Sequence, residues 1–115
     1  MQEAFLQYLW QFQYFDKKDL KTVKDEAIQI ISPGILNSNG GPDFSNARAL
    51  IEGMNWIGSV EVHIKSSEWF AHHHNHDGSY ETVVLHVVWE NDKPVSHQDG
   101  TIVPTIELRG RVSSD

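Results

Sequence analysis

The sequence predicts an α/β (α+β) fold, a mixed β-sheet flanked by helices. Three observations predict it. Residues 2–15 carry an apolar stripe at helical spacing, with Phe5, Leu6, Leu9, Phe12 and Trp10 on one side and Gln2, Glu3, Gln7 and Gln11 on the other. Residues 58–65 alternate, with Val60, Val62 and Ile64 facing one way and Glu61, His63 and Lys65 the other. Residues 82–90 are apolar on both faces, as in a doubly covered central strand.

In chain order, the helix over 2–15 stops near Asp16-Lys17-Lys18, and Glu3 suits the positive end of its dipole. Leu20–Val23 and Ala27–Ile31 read as strands joined at Lys24-Asp25-Glu26, the second rich in β-branched residues. Ser32-Pro33-Gly34 ends that segment. Asn37 to Asp43 is a dense run of turn formers, and its paired glycines let a backbone approach a ligand. Phe44–Glu52 and Asn55–Lys65 form a hairpin about Gly53-Met54. That hairpin folds Asp43 back beside Glu61 and His63. A helix starts near Ser66-Ser67, where a serine can cap and Glu68 favours the first turn, and closes at Asp77-Gly78. Thr82–Glu90 is a strand with His86 in its buried middle. Asn91–Gly100 is a loop, and Ile102–Leu108 is a last strand with Pro104 at an edge or bulge. A helix separates strands 55–65 and 82–90, so the connection is a crossover that sets the later strand parallel to a neighbour.

The chain has 115 residues, enough for a single domain over residues 1–115 with one core, and its 39% apolar and 22% charged content is that of a soluble protein. There is no cysteine, so a metal must sit on oxygen and imidazole ligands. No stretch reaches the roughly 18 apolar residues of a membrane span, and no signal peptide opens the chain, so the expectation is a cytoplasmic protein without a membrane partner. A net charge of −7 argues against non-specific nucleic-acid binding without excluding an enzyme that acts on nucleic acid. The sequence carries no signal for an oligomeric state.

Two sets of residues carry chemistry. Asp43, Glu61 and His63 are expected to converge on a divalent metal; the alternative is an ordinary solvated sheet face. Of seven histidines, four lie within residues 72–76. His72, His74, His76 and His86 are candidate ligands for a transition metal such as Zn²⁺, and the alternative is a solvated run near a helix end with His86 a hydrogen-bonded core residue.

The order helix, strand, strand, strand, helix, strand resembles the αβββαβ core of the PD-(D/E)XK phosphodiesterases, a restriction-endonuclease-like fold. Pro42-Asp43 is similar to the PD element, and Glu61-Val62-His63 to (D/E)XK with histidine in the lysine position. The resemblance implies Mg²⁺ or Mn²⁺ on Asp43 and Glu61, and His63 as the residue that positions water. It implies nucleic acid as substrate. Over nearly its whole length the chain also resembles the bacterial family called domain of unknown function 2851. The strings are Glu3–Phe15, Gly41–Ala47, Gly58–His63, Trp69–His76 and Tyr80–Val88. The likeness implies the N-terminal part of a longer protein and no established activity. Three functions stay open: a metal-dependent nuclease, a non-catalytic binding or structural domain with a histidine-rich metal site, and an inert scaffold.

Overall fold

The computed structural model describes residues 1–72 and 77–113. Helix α1 (Glu3–Gln11) leads into strands β1 (Ile28–Ser32), β2 (Ile35–Leu36), β3 (Phe44–Ile51) and β4 (Met54–Lys65). A short helix α2 (Glu68–Ala71), a 3-10 turn (Gly78–Thr82), and strands β5 (Val83–Glu90) and β6 (Thr105–Glu107) follow. The six strands form one mixed sheet in the order β1-β3-β4-β5-β6, with β2 also beside β3. β1, β2 and β4 pair with β3 antiparallel, whereas β5 runs parallel to both β4 and β6. This is a mixed α+β architecture.

Helix α1 stops at Gln11, four residues before the expected Phe15. The stop is a Schellman motif without glycine. Gln13 takes φ +56°, its N–H bonds Trp10 O at 3.2 Å, and Tyr14 N–H bonds Leu9 O at 2.9 Å. The predicted stripe also splits. Leu6, Leu9 and Trp10 are buried, while Phe5 and Phe12 stand outside at 46% and 51% exposure. Those two stack with Tyr8 and Tyr14 on the outer surface.

Leu20–Val23 is not a strand; it contributes an isolated bridge, Lys21 to Ala27. Ser32-Pro33-Gly34 interrupts rather than ends its segment, since β1 and β2 line up on the same strand β3. Gly34 is required there, because at φ +87° a Cβ would lie 2.6 Å from Ser45 O. The hairpin turns at Glu52-Gly53, one residue earlier than expected, with φ of +51° and +78°. Two consecutive positive φ values define a type I′ turn, whose twist matches the strands it joins. β6 is confined to Thr105–Glu107, and the proline just before it is accommodated because its carbonyl takes the His86 N–H at 2.8 Å.

Two apolar clusters hold the sheet. The larger joins Leu6, Leu9 and Trp10 of α1 to Phe44, Val60, Val62, Leu85, Val87 and Ile106. The smaller centres on Trp69, with Tyr80, Val83, Val95 and Val103. β5 is buried on both faces from Leu85 to Val88, as its sequence predicts. A polar clasp connects distant parts of the chain. The Arg111 guanidinium donates to the carbonyls of Asp16, Lys18 and Asp19 at 2.9–3.3 Å, and Asp16 N–H donates back to Arg111 O at 2.8 Å. Among the described residues, no helix is long and apolar enough to cross a membrane.

Candidate functional site

Asp43 closes a loop built by one asparagine. Asn37 N–H bonds Asp43 O at 2.7 Å, and its side-chain amide donates to the carbonyls of Gly40 and Pro42, both at 3.1 Å. β3 then starts opposite β4, with Phe44 against Val60. A bulge follows directly, where Asn46 takes φ +59° and the register shifts between Phe44 and Ala47. Bulges of this kind re-aim the chain beside functional sites.

The result is a reciprocal lock between two acids. Asp43 N–H donates to Glu61 Oε1 at 3.0 Å, and Val62 N–H donates to Asp43 Oδ2 at 2.9 Å. Beyond the effect of burial, the two side chains also act directly on each other, which raises Glu61 further. Glu61 is 4% exposed. Burial, and then the charge of Asp43, push its acid up to about 9. Glu61 therefore carries a proton at neutral pH, and the pair holds one negative charge rather than two. The same causes, burial first and then Glu61 and Asp43, push the Tyr80 phenol up to about 12.

His63 lies beside that pair. Strand alternation puts it on the Glu61 face, with Nε2 3.4 Å from Glu61 Oε2. The face is not the solvated surface that alternation commonly means: His63 is 1% exposed. Its Nδ1 is 2.7 Å from His86 Nε2, and its Nε2 is 3.2 Å from His72 Nδ1. His86 reaches it because parallel pairing sets Glu61 opposite His86. His86 is fully buried, edge-on to Trp69 at 5.2 Å.

α2 brings further groups. Its start is fastened to the loop after β5, not capped by a serine as expected. The buried Ser66 hydroxyl donates to Asp92 Oδ1 and Lys93 O at 3.0 and 2.7 Å, and Ser67 Oγ donates to Asp92 Oδ2 at 2.7 Å. The Ser67 hydroxyl bond, foremost, holds the Asp92 carboxyl below its ordinary range. So anchored, α2 sets Glu68 near His63, with Glu68 Oε1 accepting the Lys65 N–H at 3.0 Å. Glu3, in the first turn of α1, comes to the same place: one ligand atom each from Glu3, His63 and Glu68 lie within 4.8 Å of one another.

The structure thus brings Asp43, Glu61, His63, His72 and His86 into one connected set. The carboxylate group and the histidine group predicted as separate sites meet at His63. His74 and His76 lie outside the described residues. Lys65 is exposed. Glu3 and Glu68 were missed as site residues. Each is a first-turn acid, and that signal in a sequence points to the helix dipole, not to a ligand.

No curated protein and no solved structure matches the chain. A family model does, that of the protein of unknown function DUF2851, across residues 3–115. The match spans nearly the whole chain and both halves of the histidine–carboxylate set, and the chain belongs to the DUF2851 family.

Proposed function

We propose that the chain is a divalent-metal-dependent phosphodiesterase of nuclease type, acting on nucleic acid through Asp43, Glu61 and His63. The observation that carries this reading is the carboxyl pair of buried Glu61 and half-buried Asp43. Glu61 and Asp43 interlock through the backbone, and burial and the Asp43 charge push Glu61 up to about 9. Two acids held together this way repel once both are charged, and a divalent cation in place of the Glu61 proton relieves that repulsion. The donors are carboxylate oxygens, the class that Mg²⁺ and Mn²⁺ take. When bound, such an ion polarises a phosphoryl oxygen and lowers the pKa of water.

The other steps belong to the chain. Asp43 and Glu61 would hold the ion through their carboxylate oxygens. His63 fills the lysine position with a ring that serves as base or as ligand. Lys65, on the same strand face and exposed, is available to a phosphate. The order α1, β1, β3, β4, α2, β5, with β4 and β5 parallel, supports reading the sheet as a restriction-endonuclease-like αβββαβ core, with β2 and β6 as additions.

One observation favours a second reading, a non-catalytic domain with a histidine-rich transition-metal site. Both His72 and His86 meet the His63 ring. Cleavage assays separate the two. On the first reading the chain cleaves DNA or RNA with added Mn²⁺, Asp43→Ala and Glu61→Ala each abolish cleavage while folding, and His63→Lys retains part of it. Wild-type chain inert under those conditions, or cleavage that survives Asp43→Ala, sinks the nuclease reading.

A further inference from the structure

The polar groups around His63 are more numerous than hydrogen bonding can use. Its Nδ1 is engaged by His86 at 2.7 Å. The other nitrogen, Nε2, makes a single directional bond, either donating or accepting. Yet Glu61 Oε2 stands 3.4 Å from it and His72 Nδ1 3.2 Å. Glu3 and Glu68 each place a ligand atom within 4.8 Å of the same residue and of each other. Four groups from α1, β4, α2 and its C-terminal end surround one ring that is 1% exposed.

We propose that Glu3, His63, Glu68 and His72 form a transition-metal site beside the Asp43–Glu61 pair, with the imidazole of His63 at its centre. Ligands about 2.0–2.1 Å from a tetrahedral ion sit about 3.4 Å from each other. The 3.2 Å contact of His72 Nδ1 with His63 Nε2 is close to that spacing, and the Glu3 and Glu68 ligand atoms, within 4.8 Å of His63, need only a small approach to reach it. Two imidazoles with two carboxylates suit Zn²⁺, Co²⁺ or Mn²⁺, whereas Mg²⁺ prefers oxygen throughout. The supporting layer is present as well. His86 holds the far side of the His63 ring, and Lys65 N–H holds Glu68 Oε1 at 3.0 Å, so both ligands are oriented before an ion arrives. The site makes His63 a ligand rather than a free base, and it stands whether or not the chain cuts nucleic acid.

Calorimetric titration of the 115-residue chain with Zn²⁺, and with Co²⁺ followed by its visible absorption, tests the site. The expected result is one strong ion per chain with a Co²⁺ spectrum of mixed nitrogen and oxygen ligands. Glu3→Gln, Glu68→Gln and His72→Ala each weaken binding by about 10-fold or more, and replacement of the exposed, remote Asp25 (Asp25→Asn) by less than about 3-fold, on the scale set by ligand-shell changes. His72 is exposed, so that variant keeps the test valid should a replacement of half-buried Glu3 or Glu68 fail to fold. Wild-type chain that binds neither ion overturns the proposal. So does binding that is unchanged in all three ligand variants, or binding lost on replacing His74 and His76 alone. Nucleic-acid cleavage is read separately with Mn²⁺, so failure of the nuclease reading leaves this result untouched.

Discussion

Along β4, Val60, Glu61, Val62 and His63 are buried almost equally, at 0%, 4%, 0% and 1% exposure. Burial acts on the two faces with opposite sign. Each valine gains about 1.5–3 kcal/mol from leaving water. Glu61 gains nothing of the kind: taking its charge out of water is unfavourable, so it keeps a proton that a surface glutamate loses. One face follows from hydrophobicity alone. The other is held by the first, and is retained against its own energetics.

The largest effect that would sharpen this contrast comes from the apolar side. Leu6 is fully buried in the cluster that contains Val60 and Val62. Leu6→Ala is expected to destabilise the protein by about 2–5 kcal/mol in urea unfolding. A loss below about 1 kcal/mol would mean that α1 contributes little to that face.

Next is the contact that lets β5 lie close to β4. A Cβ on Gly58 would come within 2.5 Å of Thr82 O and 2.6 Å of Val84 Cγ1. Gly58→Ala is expected to cost about 1–3 kcal/mol through forced displacement. Because β4 and β5 carry His63 and His86, the variant should also disturb the imidazole pair, visible in histidine ring NMR shifts. An unchanged melting temperature would show that the strands have room to spare.

The polar face should respond with the reverse sign. Glu61 titrates near 4.5 when unfolded and near 9 when folded. Between those values the folded state binds the extra proton, so stability is full below about pH 4.5 and falls as pH rises to about 9. Glu61→Gln has no such dependence. In chelator, at pH 8–9, it is expected to be more stable than wild type by at least about 1 kcal/mol. Excess Mn²⁺ should flatten the wild-type slope. Thermal melts across pH, with and without Mn²⁺, check both outcomes; a wild-type curve as flat as that of Glu61→Gln rules out the raised Glu61 titration.

The smallest effect separates the causes at Glu61. Burial ranks ahead of the Asp43 charge. Asp43→Asn should therefore lower the Glu61 titration while leaving it above the ordinary glutamate range. Carbon-13 NMR of the carboxyl would show this, and a return to the ordinary range would make Asp43, not burial, the dominant cause.

Much of the sheet was legible because its residues are redundant in signal. Alternation over Val60–Lys65 and the doubly apolar run Thr82–Glu90 each rest on several residues. The errors fall where one backbone angle decides. Gln13 ends α1 in a left-handed conformation with no glycine to announce it. Glu52 does the same at the hairpin and moves the turn by one residue. At the site, Asp43 and Glu61 were brought together by reading the hairpin between them. His63 and His86 were each visible, but their 2.7 Å contact depends on the parallel register of β4 and β5, which local pattern does not specify. Glu3 and Glu68 were invisible for the same reason. Nothing local distinguishes a helix-starting acid from one that also faces an imidazole across the fold.

The Arg111 clasp ties residues 92 to 95 positions apart. Its consequence lies in the order of assembly. The segment after α1 has its carbonyls claimed by a side chain that leaves the ribosome almost a hundred residues later. During synthesis the segment Asp16–Asp19 must wait for its partner until the closing arginine arrives. A chain dominated by such long-range partners, including the parallel β4–β5 and β5–β6 pairs, should fold on the slow side for its length, in milliseconds to seconds. The window of vulnerability to aggregation is then set by translation of the last strand rather than the first helix.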